Sequence, residues 1–377
     1  MKKITFLALH LGYGGIERCI IDVCNLFADT YDIEILCTYK LYDKPVFELN
    51  NKVKVTYLTD VVPNKKEFIK SLKSFRLIKT FKEGIKAIKI LYLKKKSMVD
   101  ALKKLDSDIT VSTRIYFNNL LGKYGKNIKI GWEHNHHHGN KKYIDSFISS
   151  CKNLDEVIVV SEELQKCYSN ILQEKNIKCK CKYIPNFVNQ KYSTRSKLDN
   201  KNIISVGRLA KEKGFLDLID VYKIIDMECS NTHLDIIGDG MEYNAIKSKI
   251  IDYNLTRKIK LHGYQNQSYI NKLYDQSSIY LMTSYTESFG LVLVEAMAHG
   301  LVPIAYSSAE GAKDIIKDGE NGFLIDNRNE HEMAKKVQEL LSNPSLLKKM
   351  SDNAYNHSKS YSSKVAMENW SKIFERK

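Results

Sequence analysis

The sequence predicts an α/β protein built from two doubly wound parallel sheets. Short apolar runs alternate with longer segments of helical periodicity along all 377 residues. The runs are rich in Ile, Val and Leu and lack a strict apolar/polar alternation, which is typical of strands buried on both faces of a parallel sheet. Twelve such runs are too many for one open sheet. We therefore expect two domains of about six strands each.

The expected strands divide evenly between the two halves of the chain. They are residues 4–9, 33–38, 53–58, 108–112, 128–132 and 156–161, then 203–207, 234–238, 259–263, 279–283, 302–306 and 322–325. Helical spacing between strands is clearest in Phe215, Leu218, Ile219, Tyr222 and Ile225.

The domain boundary is expected in the polar stretch 185–200, which carries no strong pattern. The expected N-terminal domain is therefore residues 1–190 and the C-terminal domain residues 200–361. Residues 362–377 place Val365, Trp370 and Phe374 at near-helical spacing. This segment predicts a terminal helix that packs back on the first domain.

Composition excludes several classes of protein. With 43% hydrophobic and 27% charged residues, the chain has ordinary globular values, so disorder is not expected. No stretch approaches the roughly 18 consecutive apolar residues of a membrane span. The start, MKKITFLALHLGYGG, is basic and then apolar, but it lacks an Ala-x-Ala cleavage site and leads into a glycine loop. We interpret it as a first buried strand and expect a cytoplasmic protein.

The charge balance points to an anionic partner. Fifty-nine Lys and Arg against 44 Asp and Glu give a net charge of +15. That balance favours nucleic acid, nucleotide phosphates or acidic lipid. The eight cysteines are scattered without a CxxC pair, so reduced thiols are expected rather than disulfides or a zinc ribbon.

The first candidate binding segment is HLGYGGIER (10–18), directly after the first strand. Open α/β sheets bind ligands at the carboxyl ends of their strands. Gly14 and Gly15 allow a ligand to approach the backbone, and the following helix offers N–H groups to an anion. The spacing is not GxGxxG, so a plain tight turn is an equal alternative.

The second candidate segment is VGRLAKEKGF (206–215), after the first strand of the second domain. Arg208 and Lys213 would both project from a loop at the sheet edge. An Arg fork and a Lys point charge together suit a diphosphate. Two solvated surface cations are the alternative.

The third candidate segment is TSYTESFGLVLVEAMAHG (283–300). If a helix begins near Gly290, Glu295 falls in its second turn and shares the face of Leu291. Apolar neighbours on both sides make Glu295 a poor candidate for a solvated face. A carboxylate there can accept two sugar hydroxyls, and the amides before the helix would point at a phosphate or a sugar.

These three segments together resemble glycosyltransferase family 4. The resemblance is carried by GGIER, by SVGRLAKEKG and by the E-x7-E spacing of TESFGLVLVEAMAHGLVPIAY, in that order along the chain. It extends over most of the sequence and is strongest from about 202 to 325. It implies a retaining, nucleotide-sugar-dependent enzyme of the GT-B fold, in which two Rossmann-like domains face a central cleft.

The resemblance also implies roles for individual residues. Glu295 would bind the ribose of the nucleotide, and Glu287 would contact the donor sugar. Arg208 and Lys213 would hold the diphosphate and stabilise the charge that grows as it leaves. The other residues expected to bind the donor are Gly14, Gly15, Gly263, Tyr264, Ser288, Phe289, Gly290 and Leu291, with Gly263 and Tyr264 nearest the base.

A histidine cluster, WEHNHHHG (132–139), follows a strand of the first domain. No acid or cysteine completes a metal-ligand spacing, so no metal site is predicted. The resemblance implies a histidine near the donor sugar after this strand, and His134 follows the strand most directly. His136, His137 and His138 remain alternatives, and a solvated loop is expected for at least two of the four.

No carboxylate is clearly placed as the nucleophile that a retaining glycosidase would use. The resemblance implies front-face transfer instead, in which the leaving diphosphate oxygen takes the acceptor's proton. It also implies that neither a metal nor another cofactor is needed.

Residues 63–104 form a strongly basic stretch with fourteen Lys and Arg and three acids. Apolar residues interleave at helical spacing: Ile69, Leu72, Phe75, Ile78, Ile85, Ile88 and Leu91. A basic amphipathic helix is typical of a membrane-surface element. Since the N-terminal domain of a GT-B enzyme handles the acceptor, we expect a peripheral enzyme at the inner membrane face with a lipid-linked acceptor. A core-packed helix pair with solvated lysines is the alternative.

The sequence therefore predicts transfer of a sugar from a UDP-sugar to a growing bacterial surface glycan. A nucleotide-sugar epimerase is the closest rival, and a pyridoxal-phosphate phosphorylase would need a Schiff-base lysine for which Lys213 could be mistaken. A basic binding module without catalysis is the alternative from another class. Nucleic acid is disfavoured as a partner because aromatics do not interleave with the basic run as a stacking platform would.

Overall fold

Strands and helices alternate along the whole chain. The computed structural model describes residues 1–189, 194–229 and 231–375. The strands in this part of the chain are β1 (Lys3–Ala8), β2 (Asp32–Tyr39), β3 (Lys54–Thr59), β4 (Ile109–Ser112), β5 (Ile128–Glu133), β6 (Glu156–Val159), β7 (Lys180–Tyr183), β8 (Asn202–Val206), β9 (His233–Ile237), β10 (Ile259–Leu261), β11 (Ile279–Met282), β12 (Val302–Tyr306) and β13 (Phe323–Ile325).

The helices fill the intervals between these strands and the C-terminal region. They are α1 (Gly15–Phe27), α2 (Lys65–Lys73), α3 (Leu77–Lys104), α4 (Ile115–Tyr124), α5 (Lys141–Cys151), α6 (Glu162–Glu174), α7 (Phe215–Glu228), α8 (Tyr243–Asp252), α9 (Gln267–Asp275), α10 (Leu291–Ala298), α11 (Glu310–Ile315), α12 (Glu330–Ser342), α13 (Pro344–Ser358) and α14 (Ser363–Phe374).

The N-terminal sheet has the strand order β3-β2-β1-β4-β5-β6-β7 among the described residues, and all of its neighbours are parallel. In its centre Ile4 lies between Ile33 and Ile109. The edge strand β7 has no counterpart among the predicted strands. In its sequence, KCKY, each lysine precedes a less polar residue, and the strand is only partly buried. A search for continuous apolar runs therefore does not detect it.

The C-terminal sheet has the order β10-β9-β8-β11-β12-β13 within the described chain, again with parallel neighbours. Its core includes the predicted apolar face of α7, since Phe215, Leu218, Ile219, Tyr222 and Ile225 are all buried. The expectation of two doubly wound parallel sheets is confirmed.

The chain divides into two compact units. Unit 1 contains residues 1–160, 164–184 and the described chain from Ser371 on, and unit 2 contains residues 161–163 and 185–370. Of the segments named from sequence, residues 190–193 of the boundary stretch and 376–377 of the terminal helix lie outside the described residues.

The end of α14 belongs to unit 1, where Phe374 is an aromatic anchor. Its ring centroid lies 5.2 Å from that of Phe27, 5.6 Å from that of Tyr31 and 6.4 Å from that of Phe6. Lys2 Nζ donates to the Phe374 carbonyl at 2.9 Å. These contacts attach the last helix to β1 and α1.

Two further findings bear on the sequence expectations. All eight cysteines lie in the described chain, and none of them forms a disulfide. Within the described residues, none of the helices combines the length and the apolar character that crossing a membrane requires.

Candidate active site

Two loops meet at the carboxyl edge of the unit 2 sheet. One follows β8 and carries Arg208 and Lys213, and the other follows β11 and carries Glu287. β8 and β11 are parallel neighbours, with Ile203 opposite Ile279. Parallel neighbours present their carboxyl ends at the same edge, so the topology brings the two predicted segments together.

Backbone contacts fasten these two loops to each other. Gly214 adopts a left-handed φ of 64°, and a Cβ there would collide with the Thr283 carbonyl. Thr283 Oγ1 donates to the Gly214 carbonyl at 2.8 Å, and Tyr285 N donates to the Glu212 carbonyl at 2.9 Å. A glycine is therefore required where the loops approach most closely.

Lys213 and Glu287 form an ion pair across this contact. Their side chains are 23% and 18% exposed, so the pair is largely screened from water but still reachable. Arg208 differs: its side chain is 69% exposed and pairs with Glu212 within its own loop. The structure thus unites Lys213 with Glu287 and leaves Arg208 at the surface of the same edge.

Glycines shape the turn between Glu287 and helix α10. Gly290 has a φ of 96° and forms the N-cap of the helix. Gly311 N donates to the Glu287 carbonyl at 2.7 Å, and a Cβ on Gly311 would come within 2.5 Å of the Phe289 backbone. The half-buried Ser288 and the buried Phe289 therefore follow one fixed path into α10, which begins at Leu291.

The N-terminus of α10 has the electrostatics of an anion site. Its first turn contains no acidic residue, so the positive end of the helix dipole is not neutralised within the helix. Glu295 follows in the second turn, as predicted. Glu295 and Glu287 are both half-buried. Burial, reinforced by the Glu295 charge, raises the pKa of the phenol of Tyr274.

Sequence reasoning missed Arg328, which holds the second loop in place. Its Nη1 donates to the Ser284 carbonyl at 3.0 Å and its Nη2 to the Thr283 carbonyl at 2.8 Å. It also forms an ion pair with Asp217, and its guanidinium lies 3.7 Å from the ring centroid of Tyr285. Arg328 lies in a short 3-10 segment without a recognisable pattern, so no sequence signal identifies it.

Gly263 and Tyr264 lie farther along the same edge, after β10. Gly263 has a φ of 67° and its carbonyl accepts a hydrogen bond from Gly238 N at 2.9 Å. A Cβ on Gly238 would overlap the Gly207 carbonyl, so three successive strand ends pass close to one another here. Tyr264 is 56% exposed beside this backbone surface.

In unit 1 the equivalent edge is built by β1, β4 and β5, which are adjacent. The Gly14–Gly15 loop follows β1, Arg114 follows β4 and His134 follows β5. Glu17, in the first turn of α1, is buried and accepts a hydrogen bond from Arg114 Nη2 at 2.9 Å.

The buried Glu17 carboxylate also occupies the space beside Gly14. A Cβ on Gly14 would collide with that carboxylate, and His10 Nδ1 lies 3.6 Å from Glu17 Oε1. Burial lowers the pKa of His10, against the opposing effect of Glu17. No Cβ clash arises at Gly15, which has open space around it.

His134 is buried and electrically neutral. Its ring centroid lies 4.3 Å from that of Trp132, and burial, together with the charge of Arg114, lowers its pKa to about 3. Its Nε2 is buried and makes no hydrogen bond within the described chain. A neutral imidazole with an unused nitrogen can donate to or accept from a polar ligand.

The other three histidines differ in burial. His136 is buried, His137 half-buried and His138 exposed. Two of them serve the backbone of their own loop, since His136 Nδ1 accepts from His138 N and His137 Nδ1 accepts from Gly139 N, both at 3.0 Å.

Glu17 and Arg114 are the residues of unit 1 that sequence reasoning did not select. Arg114 comes two residues after β4 and Glu17 lies inside the GGIER segment. Applying the strand-end rule to the 108–112 strand, as to the first, could have found Arg114. The burial of Glu17 depends on tertiary packing and has no sequence signature.

Solved structures of low sequence identity share this fold. The chain superposes on TarM with a TM-score of 0.77 at 19% identity, covering 100% of this chain and 99% of that one. The pneumococcal O-GlcNAc transferase GtfA, solved with UDP and GlcNAc, gives a TM-score of 0.77 at 15% identity over 99% and 98% of the two chains. The fold is thus GT-B, as expected.

Sequence comparison then fixes the family. Residues 186–357 match the family described as Glycosyl transferases group 1. An uncharacterized glycosyltransferase of Haemophilus influenzae is 30% identical over 386 residues, covering 99% of this chain and 100% of the relative. The chain belongs to this family of glycosyltransferases.

Two further relatives have named activities. A Campylobacter jejuni enzyme is 24% identical over 99% of this chain and 98% of its own length, and is named GalNAc-alpha-(1->4)-GalNAc-alpha-(1->3)-diNAcBac-PP-undecaprenol alpha-1,4-N-acetyl-D-galactosaminyltransferase. The poly(ribitol-phosphate) alpha-N-acetylglucosaminyltransferase of Staphylococcus aureus is 28% identical over 65% of this chain and 50% of its own length.

Proposed function

We propose that this glycosyltransferase moves a sugar from a UDP-sugar to a hydroxyl of a bacterial surface glycan and retains the anomeric configuration of the donor. The observation that carries the proposal is the junction of the two unit 2 loops. It places the Lys213 cation and the Glu287 carboxylate in contact, next to a helix N-terminus that has no acid in its first turn.

The donor would bind along this edge of unit 2. The amides at Gly290 and Leu291 and the Lys213 ammonium suit the diphosphate, with the exposed Arg208 as a second cation. Glu295 would accept the ribose hydroxyls, and Glu287 would accept a hydroxyl of the transferred sugar. The exposed Tyr264 ring beside Gly263 offers a stacking surface for the base.

We prefer UDP as the donor nucleotide because solved structures that share this fold contain it. GtfA and HepE of Anabaena, the latter at a TM-score of 0.75 and 17% identity, were both solved with UDP.

His134 would contribute as a neutral group, since its low pKa keeps the imidazole uncharged at pH 7. Its free Nε2 would hydrogen-bond a hydroxyl of the donor sugar.

The chemical step would be a front-face exchange. The bond from the anomeric carbon to the diphosphate oxygen breaks, and the acceptor oxygen bonds to that carbon from the same face. The departing diphosphate oxygen takes the acceptor's proton. Lys213 and the amides of α10 would stabilise the charge on the leaving group, as preorganised donors do in other enzymes. No metal is assigned to this step.

The acceptor would be a lipid-linked glycan. Support comes from the Campylobacter relative, whose name specifies an undecaprenol-linked acceptor and which matches nearly the whole chain. The Staphylococcus relative is named for a different polymer, poly(ribitol-phosphate). An epimerase would need no acceptor, and membership of a glycosyltransferase family favours transfer over that rival.

A thermal-shift screen against UDP, GDP, ADP and CMP tests the donor assignment. A ligand that binds only the folded state stabilises it by about 2.7 kcal/mol at a hundredfold excess over Kd. We expect a clear shift with UDP that Glu295→Ala abolishes. Glu242→Ala, a change at another acid of unit 2, is the matched control and should keep the shift. No shift with any nucleotide would contradict the donor assignment.

Product analysis tests the chemistry. NMR of the new glycosidic bond should show the donor's anomeric configuration, and turnover should survive EDTA. A product with the inverted configuration would overturn the retaining mechanism. A loss of activity in EDTA that Mg²⁺ or Mn²⁺ restores would overturn metal independence. An isomerised nucleotide sugar formed without acceptor would instead identify the epimerase.

A further inference from the structure

Helices α2 and α3 form a hairpin with an unusually apolar surface. Half of the large hydrophobic side chains that are exposed in the described chain lie on it: Ile69, Leu72, Phe75, Leu77, Ile78, Phe81, Ile85, Ile88, Leu91 and Tyr92. The core-packed alternative considered from sequence is therefore wrong for these ten side chains, because they face solvent.

The hairpin is nevertheless well built. Asn64 Nδ2 donates to the Glu83 carbonyl at 2.9 Å and to its carboxylate at 2.7 Å. The two helices pack closely at Gly84, where a Cβ would lie at an ordinary contact distance of 3.6 Å from the Phe68 ring. Farther along α3, Met98 and Leu102 are buried in the core of unit 1. The exposed face thus belongs to an ordered element that is anchored at its far end.

The exposed side chains of α3 form one stripe. Ile78, Phe81, Ile85, Ile88 and Tyr92 recur every three or four residues, which places them on one face of the helix. Exposed basic residues flank this stripe and the tip of the hairpin: Lys70, Lys73, Arg76, Lys79, Lys82, Lys86 and Lys89.

This combination suits an anionic membrane better than a second copy of the chain. An apolar face bordered by lysines binds at the boundary between acyl chains and acidic headgroups. Two copies packed through this face would bring like charges together, which disfavours association. The fourteen basic residues against three acids in 63–104 make that repulsion large.

Phe75 at the turn provides an independent indication. The hydrogen bonds Phe75 N to Leu72 O (3.1 Å) and Arg76 N to Ser71 O (3.2 Å) are those of a Schellman motif. Phe75 takes the left-handed position of that motif, with φ 52°, which glycine normally fills. Its side chain is 89% exposed. Folding gains nothing from a phenylalanine here, so a function outside the fold explains it better.

We propose that the α2–α3 hairpin docks on an anionic membrane and inserts its tip, led by Phe75, among the acyl chains. The flanking lysines bind the headgroups and the stripe of α3 lies in the interface. The inference goes beyond the proposed transfer reaction, because it assigns a lipid surface as partner to a named element and does not depend on catalysis.

Vesicle sedimentation with the full chain tests this docking. The probes are vesicles of phosphatidylcholine alone and of equal parts phosphatidylcholine and phosphatidylglycerol. We expect binding to the anionic vesicles only. Phe75→Gly should lower the bound fraction severalfold while leaving the melting temperature unchanged or higher, because glycine suits the left-handed position. Met241→Ser removes another exposed apolar side chain, 95% exposed in unit 2, and should bind as wild type does.

A tryptophan at the tip reports insertion directly. Both native tryptophans, Trp132 and Trp370, are buried, so the emission of Phe75→Trp above the wild-type signal comes from the tip. Brominated lipids should quench that emission and leave the emission of Met241→Trp unchanged. Absence of wild-type binding to anionic vesicles, or binding without quenching at position 75, would overturn the proposal.

Sedimentation velocity without lipid completes the test. If the hairpin were instead an interface between copies, the wild type would dimerise and Phe75→Gly would be monomeric. That result would also overturn the membrane-docking proposal. The vesicle assay contains neither nucleotide nor acceptor. A failure to bind vesicles would therefore contradict membrane docking without bearing on the UDP-induced thermal shift. The absence of that shift would contradict the donor assignment without bearing on membrane docking.

Discussion

The helix N-termini at the sheet edges of the two units are electrostatically opposite. In unit 2, α10 begins after Gly290 without an acid in its first turn, and Glu287 just before it is paired with Lys213. In unit 1, α1 begins at Gly15 and carries the buried Glu17, which is paired with Arg114. The N-terminus of α10 can therefore bind an external anion, whereas the N-terminus of α1 already contains the carboxylate of Glu17. Similar glycine-to-helix turns can therefore serve different purposes, depending on where the nearest carboxylate lies.

The largest expected effect is on the unit 2 side. Lys213→Ala removes the cation proposed to stabilise the leaving diphosphate, and we expect kcat to fall roughly 10²–10³-fold, as when one transition-state donor is deleted. Steady-state kinetics with saturating donor measures this. Lys211→Ala, an exposed lysine two residues away, is the control and should leave kcat nearly unchanged. Equal effects of the two variants would contradict a specific role for Lys213.

The next effect is on stability in unit 1. Arg114→Ala leaves the buried Glu17 carboxylate without its guanidinium, which should destabilise the fold by about 3 kcal/mol. Glu17→Gln combined with Arg114→Ala removes the stranded charge as well and should recover part of that loss. Urea unfolding measures both. Additive losses in the double variant would show that the pair is not coupled.

Arg328 should behave as a positioning residue. Arg328→Lys keeps a charge but loses the fork that contacts two loop carbonyls and Asp217. We expect a loss of about 1–2 kcal/mol of stability and a roughly tenfold drop in kcat with little change in acceptor KM. A stability loss without any kinetic change would mean that Arg328 supports only the fold.

The pH dependence of stability tests His134. Its pKa is about 3 in the folded chain and about 6.5 when unfolded, so between these values the unfolded chain binds the extra proton. Stability should therefore fall as pH decreases from about 6.5 towards 3, by up to about 1.4 kcal/mol per pH unit. Burial also lowers the pKa of His10, His299 and His357, so they contribute in the same window.

Comparison with His134→Gln isolates the His134 contribution. The free energy of unfolding of the variant should change less steeply with pH across that window. Urea unfolding at several pH values measures the difference. Identical slopes would indicate that His134 protonates readily in the folded state, contrary to its burial beside Trp132.

Much of the fold was predictable because its signals are local. Buried parallel strands read as continuous apolar runs, and the order of those runs gave two sheets of the correct class. The edge strand β7 was missed because a partly buried edge strand needs no such run. In unit 2 the E-x7-E segment and the Lys213 loop are each continuous in sequence, so both could be identified.

The missed residues act through tertiary contacts. Arg328 reaches the loop after β11 from a segment more than forty residues later, and Glu17 is important only because folding buries it against Arg114. Neither property leaves a pattern along the chain. Phe75 is the converse case. Its position in the sequence was noted, but only the left-handed φ and the exposure of the side chain show that the fold does not require it.

The smallest expected effect separates fold from function at the unit 1 loop. Gly15 occupies the first position of α1 with open space around it, so Gly15→Ala should fit and stabilise the helix by at most about 1 kcal/mol. If a ligand approaches this backbone, the added methyl should raise the donor KM without lowering stability.

Gly84→Ala is the matched control for Gly15→Ala. It makes the same change inside α3, where the new Cβ meets only an ordinary contact with Phe68, and it should leave KM unchanged. An unchanged KM in Gly15→Ala as well would mean that no ligand approaches this loop closely. The internal Glu17 carboxylate would then be sufficient to explain why the turn carries glycines, since Gly14 must remain small to accommodate it.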